Sequence, residues 1–96
     1  KSSQPLRFRS AGSVFKNPKE GAAGYFIDKA GLKGTKSGDA EISSIHANFF
    51  VNHGTASASD VIKLINIARK EVSKEFGIML ELEIKTLGFT QEVLEQ

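Results

Sequence analysis

Cysteine is absent from the 96 residues, so neither a disulfide framework nor a thiolate metal site can form, and an ordinary packed core must hold the chain together. Long apolar runs are missing too. None exceeds three residues, as in Phe49-Phe50-Val51 and Ile78-Met79-Leu80, far short of a signal-peptide core or a spanning helix. A soluble, cytoplasmic protein without membrane contact is expected. Familiar nucleotide and nucleophile motifs are also lacking. Lys36-Ser37 has no glycine before the lysine, as a P-loop needs; Ser13 has no glycine two residues later, as a nucleophile elbow needs; no GxGxxG occurs. His46 and His53 stand seven residues apart with no acidic ligand between them, so no metal is expected and surface or hydrogen-bonded histidines are the default.

What is present suffices for one compact domain, which at this length buries roughly two-thirds of its unfolded surface. The chain starts on Lys1 rather than methionine, and is expected to be part of a longer protein. Its net charge of +2 hides an asymmetry. Residues 1–36 carry eight Lys/Arg against Glu20 and Asp28, giving +6, whereas the remaining sixty residues sum to −4. Attraction for an anion therefore belongs to the first third. The basic residues are not interleaved with aromatics beyond Phe8 and Phe15, and no nucleic-acid motif accompanies them, so a phosphate-bearing small ligand fits better than DNA or RNA.

Hydrophobic periodicity divides the chain. Leu6 and Phe8 alternate with Arg7 and Arg9 as a short strand, which Gly12 breaks before Val14-Phe15. Ala23, Phe26, Ile27 and Ala30 mark one face of a helix over roughly 22–30, with Gly31 as its left-handed stop. Leu32 to Ala40 reads as a loop. Ile45 to Asn52 alternates Ala47, Phe49 and Val51 with His46, Asn48, Phe50 and Asn52, a half-buried strand whose second face is unusually polar. Ser57 and Asp60 form a capping-box start for a helix whose stripe runs Val61, Leu64/Ile65, Ala68, Val72 and Phe76 to a stop at Gly77. Leu80, Leu82 and Ile84 alternate with Glu81, Glu83 and Lys85 in a last strand ending at Gly88. The expected class is α+β, a small mixed or antiparallel sheet on two main helices, with residues 1–88 as the domain and 89–96 as a polar tail.

Within Gly12 to Pro18 a hydroxyl (Ser13), an ammonium (Lys16) and a carboxamide (Asn17) fall close together, and by residue chemistry alone a polar turn is the favoured reading. Glu83 on a charged strand face is ordinarily solvated. His46, Asn48 and Asn52 either line a polar cleft or meet water or a neighbouring loop. The residues leave both open.

Three separated blocks sharpen this picture. SAGSVFKNP (10–18), AGLKG (30–34) followed by HANFFVN (46–52), and FGIMLELEIKTLG (76–88) resemble, in order and spacing, the C-terminal domain of the MurB family, the flavin-dependent UDP-N-acetylenolpyruvoylglucosamine reductases of peptidoglycan synthesis. The short loop after Pro18 resembles the branch without a longer insertion there. The resemblance implies reduction of the enolpyruvyl ether of UDP-N-acetylglucosamine to the lactyl ether of UDP-N-acetylmuramate, with NADPH loading FAD. It implies that Ser13 gives a proton to the substrate carbon next to the carboxylate and that Glu83 helps stabilise the enolic intermediate. Asn17 matches a contact to the UDP part, His46 a nucleotide contact, and Gly12 and Lys16 fall among the substrate-binding residues. FAD and a further arginine belong to an N-terminal flavin-binding region, so this stretch alone is expected to bind no cofactor and to lack activity. Leu82 stands where the family has proline, leaving Glu83 dependent on strand register; Arg9 and Asp39 depart from a common proline and glycine. The alternative is a nucleotide- or partner-binding α+β module without catalysis.

Overall fold

A computed structural model describes residues 10–83. Its elements are β1 (Ser10–Ser13), α1 (Ala23–Lys29), β2 (Lys36–Ser37), β3 (Ala40–Ile42), β4 (Phe49–Asn52) and α2 (Ala58–Phe76). The strands form an antiparallel sheet in the order β1-β4-β3-β2, giving the expected α+β class. The predicted Leu6–Arg9 strand, Ile84 to Gly88 and the tail lie outside the described residues. Among the described residues no helix is long and apolar enough to cross a membrane.

The helices form where local signals coincide. Ser57 Oγ accepts the Asp60 N–H and Asp60 Oδ2 accepts the Ser57 N–H at 3.1 Å, so the shorter aspartate still closes the box. Ala58, Val61, Leu64, Ile65, Ala68 and Val72 are buried along one stripe, and Gly77 ends α2 at φ 68°. Phe76, predicted as the stripe's last member, is 37% exposed and touches the core through an edge contact with Phe26, ring centroids 5.2 Å apart. α1 buries Ala23, Phe26 and Ile27, and Gly31 follows at φ +77°.

Three expectations are corrected. Gly12 does not break the first strand; it lies inside β1, where the register slips between Ser10↔Val51 and Ser13↔Phe49 and one extra residue is absorbed as a bulge. Leu32 to Ala40 is not all loop, because β2 and β3 pair as a hairpin through Lys36↔Glu41 and Ser37↔Ala40. A two-residue strand carries no readable periodicity, which is why composition masks it. On β4 the covered face is the one with the asparagines: Phe50 and Asn52 are buried while Phe49 and Val51 are half-exposed. Register explains this, since Ile42 pairs with Phe50 and Ala40 with Asn52, so all four share the side that meets the core.

Burying asparagine is tolerable because each carboxamide replaces a missing backbone partner. Asn52 Oδ1 accepts the N–H groups of Gly54 and Ala56 and turns the chain toward α2. Asp39 also gains from its surroundings: its Oδ2 accepts the Thr55 N–H at 2.9 Å and hydroxyl at 2.7 Å. The Thr55 side-chain bond, then its backbone bond, hold the Asp39 carboxyl below the usual aspartate value, with His53 adding a smaller pull.

Candidate functional site

Ser13 ends β1, opposite Phe49, with an exposed side chain. After it the chain bends away from β4 and meets the segment following α2. The Lys16 N–H donates to the Glu81 carbonyl and the Glu83 N–H to the Val14 carbonyl, both at 2.7 Å, around the pair Phe15–Leu82. Glu83 is thereby set against Val14, one residue from Ser13, although seventy positions separate the carboxylate from the hydroxyl in sequence. Leu80 is fully buried, Leu82 packs partly against the core, Glu81 is exposed and Glu83 half-buried. The anchoring is apolar: Phe15 is 1% exposed and its ring meets the Phe50 ring edge-on at 6.4 Å.

Asn17 lies just beyond this ladder. Its Oδ1 accepts the Ala23 N–H at 2.9 Å, joining the turn to the first residue of α1 and satisfying a donor that the helix leaves open. Two clefts meet at Asn17. One, of about 410 Å³, runs between Lys16, Lys19 and Glu20 on one side and Ile78, Met79 and Glu81 on the other. The second, of about 350 Å³, joins Asn17 to Tyr25, Lys33, His46 and Asn48. Ser13 and Glu83 line neither. The sequence-predicted residues therefore form two groups, Ser13 with Glu83 at the ladder and Asn17 with His46 at the second cleft, linked through Lys16 and Asn17.

His46 is exposed at the cleft mouth, its ring 5.4 Å from the Phe49 ring, on a turn in which the Ser43 hydroxyl accepts the N–H groups of Ile45 and His46. His53 lies elsewhere, with Nε2 2.6 Å from Glu41 Oε1. Among the described residues no group of three or more His, Asp or Glu could hold a metal ion. Sequence reasoning passed over Lys33 and Tyr25. Lys33 sits 3.5 Å from Asp28, and Tyr25, 54% exposed, receives the Lys29 ammonium 5.6 Å from its ring centre. The clustering of lysine in the first third was the signal for Lys33; nothing in the sequence pointed to the tyrosine.

Chemically, the second cleft offers two carboxamides, an imidazole, an aromatic ring and the Lys33 ammonium, the last shared with the Asp28 carboxylate that also lines it, a mixed set of donors with one acid for a polar ligand with a flat group. Neither cleft has the glycine-rich phosphate turn of a dinucleotide site.

Comparison with known proteins is consistent throughout. Residues 4–87 match the family model described as UDP-N-acetylenolpyruvoylglucosamine reductase, C-terminal domain. The reductase of that name from Chloroflexus aggregans is 56% identical over 78 residues, covering 81% of this chain and 26% of the relative. That of Chloroherpeton thalassium is 50% identical over 99 residues, covering 97% and 32%. The crystal structure of UDP-N-acetylenolpyruvylglucosamine reductase (MurB) from Thermus caldophilus is similar with a TM-score of 0.62 and 48% identity, over 84% of this chain and 29% of that one. The chain thus spans about a quarter to a third of the length of these relatives.

Proposed function

Because the chain belongs to the family of UDP-N-acetylenolpyruvoylglucosamine reductase C-terminal domains, we propose that it is the substrate-binding part of such a reductase, with residues 1–88 as the domain, acting in the cytoplasm in peptidoglycan synthesis. In this reading the rest of the protein would hold FAD, and the bound flavin would supply the hydride, drawn from NADPH, for the methylene carbon of the enolpyruvyl group. The residues of this chain do the rest. Lys33, His46 and Asn17 bind the UDP part in the second cleft, where the basic first third favours a diphosphate. Gly12 and Lys16 border the bound sugar nucleotide.

Hydride addition places negative charge on the substrate carboxylate, and donors held in place beforehand stabilise that charge as it develops. Ser13 then gives its hydroxyl proton to the carbon next to the carboxylate. Serine is a weak acid in water, but a carbon bearing enolate charge is far more basic, so transfer needs only that the hydroxyl be held within reach. Glu83 assists at the enolic stage. The observation that carries the proposal is the Val14–Glu83 backbone bond, which supports a joint role for two residues from opposite ends of the chain.

The test separates the half-reactions of the full-length reductase. Ser13→Ala should leave flavin reduction by NADPH at its parental rate and slow reoxidation by the enolpyruvyl substrate by about a hundredfold to ten-thousandfold. Reoxidation at the parental rate would sink the assignment, whereas equal slowing of both halves would point to a folding defect.

A further inference from the structure

Two residues after Ser13, where β1 has ended, the backbone of Phe15 is held on its second side by a side chain rather than by a strand. In the pair Phe15–Leu82 the flanking residues make the ladder bonds, so the N–H and carbonyl of Phe15 itself point away from residues 81–83. A neighbouring strand would normally take them. Here Asn48 does so with one planar group: its Oδ1 accepts the Phe15 N–H at 3.0 Å and its Nδ2 donates to the Phe15 carbonyl at 2.9 Å. Its own carbonyl accepts the Val14 N–H at 2.8 Å. Asn48 is 9% exposed, and Gly24 of α1 lies so close that a methyl there would sit 3.5 Å from the Asn48 Cβ.

Asn48 therefore grips the two residues between the proposed proton donor and the ladder that carries Glu83. Asn17, by contrast, has its own anchor on α1 through Ala23. We infer that Asn48 is a positioning residue for the reductase reaction, fixing the Val14–Phe15 peptide so that the Ser13 hydroxyl and Glu83 keep their relative placement. This rests on the proposed role of Ser13. Loss of the grip acts on proton delivery rather than on substrate binding, because a displacement of about 1 Å at a reacting group costs on the order of a hundredfold in rate.

The experiment compares Asn48→Leu, Ser13→Ala and the double variant in the full-length reductase, following each half-reaction by flavin absorbance and substrate affinity by titration. Asn48→Leu keeps the branching of the side chain, with somewhat greater bulk, and removes both bonds. It should slow flavin reoxidation by the enolpyruvyl substrate about 10- to 100-fold at saturating substrate, leave reduction by NADPH near its parental rate, and add no slowing once Ser13 is alanine. Should the leucine variant not fold, Asn48→Asp serves in its place, keeping the acceptor for the Phe15 N–H while losing the donor to its carbonyl. A parental reoxidation rate, an equal loss in both half-reactions, or the same factor of slowing on the Ser13→Ala background would each overturn this inference alone. A Ser13→Ala enzyme that reoxidises at the parental rate would remove the serine assignment and this inference with it.

Discussion

Gly38→Ala should destabilise the chain by about 2–3 kcal/mol through two separable causes. Gly38 turns β2 into β3 at φ +56°, a conformation that costs an L-residue about 1–2 kcal/mol. Its α-carbon also faces the start of α2. A methyl built there would lie 2.6 Å from Asp60 Cγ and 2.7 Å from Oδ1, so the carboxylate must swing away. Asp60 then releases the Ser57 N–H and half of the capping box is lost, worth about 1 kcal/mol. Urea unfolding of the 96-residue chain measures the sum, and a thermal melt should fall by about 10–20 °C for a domain of this length. The two causes separate on an Asp60→Ala background, where the clash is gone and only the backbone cost of about 1–2 kcal/mol remains. If Gly38→Ala costs the same with and without Asp60, the steric link between hairpin and helix is refuted.

Two further outcomes follow from the site and its surroundings. Lys33→Met should weaken UDP binding to the 96-residue chain and flatten its salt dependence, while amide shifts of Asn17 and His46 still report the ligand; unchanged affinity would move the diphosphate away from the second cleft. Because the Thr55 bonds hold the Asp39 pKa down, the stability they confer is complete above the ordinary aspartate value of about 3.9 and is lost as pH falls through the lower folded value. Asp39→Asn should accordingly show a shallower loss of stability than the parent between about pH 4 and the acid limit, and parallel acid titrations of the two would contradict the bond's role.

How much was legible in the sequence depends on the range of the forces that fix each feature. α2 could be read because its determinants are local: Ser57 and Asp60 bond within one turn, the buried stripe repeats at helical spacing, and Gly77 supplies the left-handed stop. α1 and its Gly31 stop follow the same logic. The basic first third could be read as well, since charge is counted without coordinates, although it did not single out Lys33 as a lining residue of the second cleft. The roles expected of Ser13, Asn17, His46 and Glu83 came from the resemblance of whole blocks to a known family, while their residue chemistry alone favoured a polar turn and a solvated glutamate.

Tertiary structure decided the rest. Phe49-Phe50-Val51 offers apolar side chains to both faces of β4, so the pattern could not tell which face is covered; pairing with Ile42 and Ala40 settled it. The β2–β3 hairpin is too short to show a period and exists through its partner and the helix beside it. The approach of Glu83 to the Ser13 block depends on two backbone bonds between segments at opposite ends of the described chain. Asn48 is the clearest case. As one residue in a polar series it offered only a cleft or water, and its grip on Phe15 arises because the fold leaves one peptide without a strand beside it. A backbone group's need for a partner is set by what the fold removes from water, and that is known only once distant segments have met.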